Sequence, residues 1–131
     1  MEKEAVEYKQ VAMSHLDYLL IIHVKKLREN KGWSQRKLSD EMHLTKGFVG
    51  NVEAFTQRLK YNIRHLTLLC KAFGYKSVSK LFPFETPEHD WVRLTIKINT
   101  KVKKDGTFSR ERSSEVIKVE PLKKGEEQQK S

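Results

Sequence analysis

SQRKLSDEMHLTKGFVGNVE, residues 34–53, is the stretch on which the reading of the fold turns. Apolar residues fall at Leu38, Met42, Leu44, Val49 and Val52, so two short helices joined by a tight turn can face each other across one small core. Ser34 and Thr45 each precede a helical run, where a hydroxyl can accept a hydrogen bond from a backbone N–H the helix leaves unpaired, and both are expected as N-caps. Arg36 and Lys37 fall in the first turn of one helix and Lys46 in the first turn of the other, where the macrodipole disfavours cations by roughly 0.3–1 kcal/mol each. An outside anion such as a DNA phosphate at those helix ends accounts for the arrangement. The plainer alternative is that exposed Lys and Arg tolerate poor dipole placement.

The order and spacing of these residues resemble the helix-turn-helix of the phage repressor and Cro proteins, the XRE family. The resemblance lies in the S-Q opening (Ser34, Gln35), Leu38, the small Ser39, the turn, the hydroxyl at Thr45, the aliphatic Val49 and the closing V-E (Val52, Glu53). Upstream, KKLRENKGWSQ resembles the end of that family's first helix, with Val24, Leu27 and Trp33 at core positions, and Ile63 to Phe82 resembles its fourth and fifth helices. The resemblance implies that Lys46, Gly47 and Asn51 face base edges in the major groove. It implies phosphate contacts from Gln35, Arg36, Lys37, Thr45, Arg58, Lys60 and Tyr61. Lys suits guanine and Asn suits adenine, whereas Gly47 reads nothing with a side chain. Three departures from the family pattern stand out: His43 occupies a turn position that is usually Gly, Gly47 and Gly50 interrupt the recognition helix, and Ala54-Phe55 replaces the Gly that commonly follows the closing Glu. His enters the left-handed region more readily than most residues.

Charge and composition bound the rest. Of the net charge of +9, residues 15–83 hold 13 basic against 5 acidic residues, a balance of +8, as a polyanion-binding surface requires. Mean hydropathy is −0.67, and no apolar run approaches the ~18 residues of a membrane span or the pattern of a signal peptide, so a cytoplasmic protein without a membrane partner is expected. The lone Cys70 is read as a buried small residue in a reducing compartment. His15, His23, His43, His65 and His89 show no paired ligand spacing, and there is no Gly-rich phosphate loop or nucleophile–base pair. No catalytic residue, metal or cofactor is expected.

Around the central stretch, Ala5, Tyr8, Ala12, Leu16 and Leu19 recur at helical spacing, so residues 1–15 read as an N-terminal helical extension that breaks near Ser14 or runs on. Asp17 to Lys31 is the first domain helix, closed by Gly32, with Leu20, Val24 and Leu27 inward and His23 half-buried. Asn62 caps a helix whose Ile63, Leu66, Leu69, Cys70 and Phe73 share a face, and Ser77 caps a short last one carrying Val78 and Leu81; Arg64 and His65 are expected in solvent. Residues 84–90 read as a linker. From Val92 the period changes to alternation through Leu94, Ile96, Ile98 and Val102, and Asp105-Gly106 marks a hairpin turn. The poorer alternation of the return strand predicts a bulge.

The chain is thus expected to be mainly α: a five-helix repressor-like DNA-binding domain at 16–83, with the helical extension, a β-hairpin at 91–120 and a disordered tail at 121–131. A two-stranded ribbon is marginal alone, so the hairpin or the N-terminal helix is expected to form a homodimer, with Lys103, Lys104, Arg110 and Arg112 offering it a second contact with DNA. The expected function is sequence-specific double-stranded DNA binding by a transcriptional regulator, a repressor of two-fold operators. The alternative is an antitoxin-like interaction module that masks a partner protein.

Overall fold

The computed structural model describes residues 3–122, so most of the expected C-terminal tail lies outside the described residues. Its elements in chain order are strand β1 (Lys3–Ser14), helices α1 (His15–Asn30), α2 (Gln35–Glu41), α3 (Phe48–Ala54) and α4 (Ile63–Phe73), a 3-10 helix (Val78–Leu81), and strands β2 (Trp91–Val102) and β3 (Phe108–Pro121). The fold is α+β, which corrects the mainly α, five-helix expectation. The N-terminal extension is a strand, the fifth helix is a four-residue 3-10 turn, and the strands form one sheet in the order β1-β2-β3. The chain divides into two compact units: a helical unit, Ser14–Asp90, and a sheet unit in which the N-terminal strand joins the segment that starts at Trp91.

The helical unit starts at Ser14, whose side-chain oxygen accepts the amide of Asp17 at 3.0 Å and stops β1 from running on. Its core is Leu20, Ile21, Val24, Leu38, Met42, Val49, Val52, Leu69 and Leu81, each buried. The left-handed Gly32 follows the end of α1, and the left-handed Gly74 ends α4. Trp33 stacks on Phe73 with ring centroids 5.7 Å apart, which joins the start of α2 to the end of α4. At the start of α4, Asn62 accepts the His65 amide at 3.0 Å while His65 Nδ1 accepts the Asn62 amide at 2.9 Å. This capping box draws His65 into the core, against the expectation that it is solvated. The buried face of α4 then follows His65, Leu69, Cys70 and Phe73, and Ile63, expected inside, falls off that face at 85% exposure. Val78 is likewise exposed, whereas Leu81 is buried. The expected linker is held at its end, where the Asp90 carbonyl accepts the His15 amide at 2.8 Å and the His89 amide donates to His15 Nδ1 at 3.1 Å.

In the sheet unit, β2 and β3 pair antiparallel, and the alternating face of β2 is buried through Val92, Leu94, Ile96, Ile98 and Thr100. The register steps from Thr95↔Lys118 to Ile96↔Val116, which leaves Ile117 as the extra residue of a bulge in the expected strand. The hairpin turns through Gly106, at φ 87°, with Asp105 accepting the Thr107 amide. β1 overturns the helical reading for a physical reason. Its Ala5/Tyr8/Ala12 spacing fits a helix, but Val11 and Met13 are both buried two positions apart, the period of a strand, and pairing with β2 outweighs a weak helical preference.

Candidate nucleic-acid interface

α2 begins as its sequence implies, with the Ser34 hydroxyl oxygen accepting the Lys37 amide at 3.0 Å. It ends in a Schellman arrangement in which the His43 amide donates to the Asp40 carbonyl and the Leu44 amide to the Ser39 carbonyl, both at 3.0 Å. The left-handed residue is His43 at φ 59°, as the turn position required. α3 starts later than expected. Its N-cap is Gly47, which supplies no side-chain hydrogen bond, so Thr45 is not the cap and Lys46 precedes the helix instead of lying in its first turn. The second amide of α3 is satisfied from the facing helix: the buried Ser39 hydroxyl donates to the Gln35 carbonyl at 3.0 Å and accepts from Val49 N–H at 3.1 Å. Ser39 therefore supplies the first turn of α3 with a side-chain acceptor from outside the helix.

A second tie holds the far end of α3. Glu53, its side chain 2% exposed, accepts from Arg28 Nε at 2.9 Å and from an Arg28 terminal nitrogen at 2.8 Å. The other terminal nitrogen of Arg28 donates to the Trp33 carbonyl at 2.8 Å, and Gln35 Nε2 donates to Glu53 at 3.0 Å. The Glu53 carboxylate raises the pKa of the Arg28 guanidinium, so the pair stays charged. Gly50 belongs to the same arrangement, because a Cβ there would stand 3.0 Å from Gln35 Oε1. The close approach its glycine permits is thus to a neighbouring helix.

The expected base-reading residues are exposed at the start of α3: Lys46, Gly47 and Asn51, the last with its amide nitrogen 3.9 Å from where a Gly47 Cβ would lie. Of the expected phosphate contacts, Arg36, Thr45 and Arg58 are exposed, Arg58 with a left-handed backbone at φ 56°. Gln35 is turned to Glu53. Lys37 pairs with Glu41 at 2.8 Å, and that hydrogen bond raises the lysine pKa and lowers the glutamate's. Lys60 pairs with Asp17 at 3.4 Å. Tyr61 departs from its expected role: it is 4% exposed, with Phe48 beside it at 6.0 Å, and burial, aided by the Glu53 charge, pushes its phenol far above the ordinary value. Lys103, Lys104 and Arg112 lie in the sheet unit and are exposed, and the side chain of Arg110 lies outside the described residues. The loop after α3 keeps a left-handed residue where the family's Gly would stand, but it is Phe55, at φ 63° and buried, its ring 5.7 Å from Tyr18. Sequence reasoning did not find Arg28 or the cap at Ser39; the small residue in α2 and the closing Glu were the available signals. No helix among the described residues is long and apolar enough to cross a membrane.

No protein-family model matches the chain, and no curated protein matches it. Among solved structures it is similar to the crystal structure of the hypothetical transcription factor NHTF from Neisseria, at 26% identity over 56% of this chain and 77% of that one, with a TM-score of 0.45.

Proposed function

We propose that this chain is a helix-turn-helix transcriptional regulator that binds double-stranded DNA sequence-specifically as a two-fold dimer, as its resemblance to the phage repressors implies. The observation that carries the reading is the division of labour between α2 and α3. Ser39, Gln35 and Glu53 tie the two helices together, while Lys46, Gly47 and Asn51 remain exposed at the start of α3. A helix fixed in this way can enter the major groove by its N-terminal residues, with Lys46 on guanine and Asn51 on adenine. Arg36, Arg58 and the surrounding positive charge of residues 15–83 supply phosphate contacts, so affinity falls steeply with salt.

The test is selection from random duplex DNA followed by titration of the selected site. A motif with a two-fold repeat is expected. Lys46→Ala and Asn51→Ala should each reduce preference for that site over random duplex by about five- to 150-fold, the worth of a bidentate base contact. Arg36→Ala should weaken all duplexes alike and flatten the salt slope by about one unit. Preference unchanged in both Lys46→Ala and Asn51→Ala would overturn the reading. A partner-masking module is the second reading, and the exposed Val6, Tyr8, Phe108 and Ile117 of the sheet unit favour it. Such a module would retain a co-purifying partner only while residues 90–131 are present.

A further inference from the structure

We infer that the turn joining β2 to β3 is a second contact with duplex DNA, gripping phosphates through Lys103 and Lys104. The inference rests on the DNA reading proposed above and adds a surface of the sheet unit to it. Positive charge in that unit gathers toward the turn. Residues 91–110 hold six basic residues and one acidic, a balance of +5, whereas residues 111–120 of the return strand hold two basic and three acidic, or −1. β1, residues 3–14, holds two of each and is balanced. Lys103 and Lys104 stand next to each other at the tip, and both are exposed. A concentrated cationic end on an otherwise balanced sheet complements a polyanion, and the polyanion proposed for the helical unit is a duplex.

The tip is held in one shape. The Lys103 amide donates to the Thr107 carbonyl at 2.8 Å and the Gly106 amide to the Lys103 carbonyl at 2.9 Å. The one acid of the segment, Asp105, is engaged by the turn itself: its carboxylate accepts the Thr107 amide at 3.0 Å and the Thr107 hydroxyl at 2.6 Å. A turn fixed before binding gives up less conformational freedom when it meets a ligand. Just ahead of it the register steps from Thr100↔Arg112 to Val102↔Phe108, so Lys101 of β2 stands against residues 109–111 of β3. Extra residues on one strand bend and twist a ribbon, which turns the tip away from the plane of the sheet. Phe108 closes the last pair before the turn and is 66% exposed. A two-stranded ribbon fits the width of the major groove, where lysines meet the phosphates that line it and a phenyl ring can pack on a thymine methyl group.

Titration of the full chain against its selected duplex, from about 50 to about 200 mM salt, tests this. Lys103→Ala/Lys104→Ala should reduce the slope of log affinity on log salt by about 1.8 units, so the unaltered chain loses about twelvefold more affinity than the variant over that range. Lys9→Ala/Lys118→Ala removes the same charge from the same unit away from the turn and should move the slope by less than about half a unit. Phe108→Ala should weaken binding about fivefold with the slope kept. Circular dichroism of each variant separates loss of contact from loss of fold. An unchanged slope in Lys103→Ala/Lys104→Ala, an equal fall in Lys9→Ala/Lys118→Ala, or unchanged affinity in Phe108→Ala would each overturn the inference. So would turn lysines needed for binding phosphatidylserine vesicles but not the duplex. If the turn variants behave as expected while Lys46→Ala and Asn51→Ala leave site preference untouched, base reading by α3 is refuted and this contact stands. If preference falls in those two while the turn variants match the unaltered chain, the reverse holds.

Discussion

Replacing Glu53 by Gln should cost the fold about 3–5 kcal/mol, although the new side chain has the same shape. The carboxylate accepts three N–H groups, two from Arg28 and one from Gln35, at 2.8 to 3.0 Å. A carboxamide offers one oxygen, so its own NH2 must face a donor, and Arg28, 8% exposed, retains a charge without its counter-ion. Urea unfolding followed by circular dichroism should show the midpoint falling at constant slope. The companion Arg28→Met/Glu53→Leu removes both charges and fills similar volume, so it should be more stable than Glu53→Gln by at least about 2 kcal/mol, even with the bond to the Trp33 carbonyl lost. The reasoning fails if Glu53→Gln costs less than about 1 kcal/mol, or if the double replacement is the less stable of the two.

Gly50→Ala should show near-zero change in the native background, because the roughly 1 kcal/mol gained in helix propensity is offset by displacing the Gln35 amide from Glu53. With Gln35→Ala already present the same change should stabilise by about 1 kcal/mol, and a thermal-melt cycle measures the difference. His43→Gly relieves a left-handed, exposed residue and should raise the melting temperature of the helical unit by several degrees, about 1 kcal/mol. The pKa of His65 is lowered, first by burial and then by the charge of Arg64, below the unfolded value near 6.5. Its contribution to stability is therefore fully present above about pH 6.5 and is lost as pH falls through the lower folded value. Stability measured from pH 7.5 down to 5 should decline by less in His65→Gln than in the unaltered chain.

What was legible in the sequence were signals contained within a few residues. The caps at Ser34, Asn62 and Ser77, the left-handed His43 and the alternation of Val92 to Ile98 were all readable because cause and effect lie within one turn or one strand. What was not legible depends on partners distant in the chain. β1 is a strand because β2, some eighty residues later, pairs with it, and nothing in KEAVEYKQVAMS reveals that partner. Thr45 has the right chemistry for a cap, but α3 starts at Phe48 with Gly47 as its cap, and the Val49 amide is met by Ser39, ten residues earlier in the chain. Tyr61 sits among cations in the sequence, yet its ring completes a buried cluster with Phe48 and His65. A polar-looking loop residue can be core when the elements on either side leave an aromatic-sized space, and pattern alone carries no measure of that space.

The geometry of α2 and α3 gives these distant contacts a common consequence. A seven-residue helix is too short to hold itself in water, so its pose must be imposed by its neighbours. If that had been done with residues at its leading end, those groups would be occupied and unable to meet a ligand. Instead the restraints reach α3 at Val49 N–H, which Ser39 fills from beneath, and at Glu53 in its last turn, which Arg28 and Gln35 grip. Gly50 lets Gln35 approach between them, at the cost of helix propensity. Lys46, Gly47 and Asn51 are left outside every one of these contacts, and under the proposed reading that is the requirement. On this argument Gln35→Ala, although it removes a polar group from the expected contact surface, should act on DNA chiefly by loosening α3, so its loss of affinity should shrink when Gly50→Ala stiffens the same helix. A phosphate-contact role alone would leave the double variant binding no better than Gln35→Ala alone, since with Gln35 gone Gly50→Ala has no side chain to displace, and a DNA titration of those two variants distinguishes them.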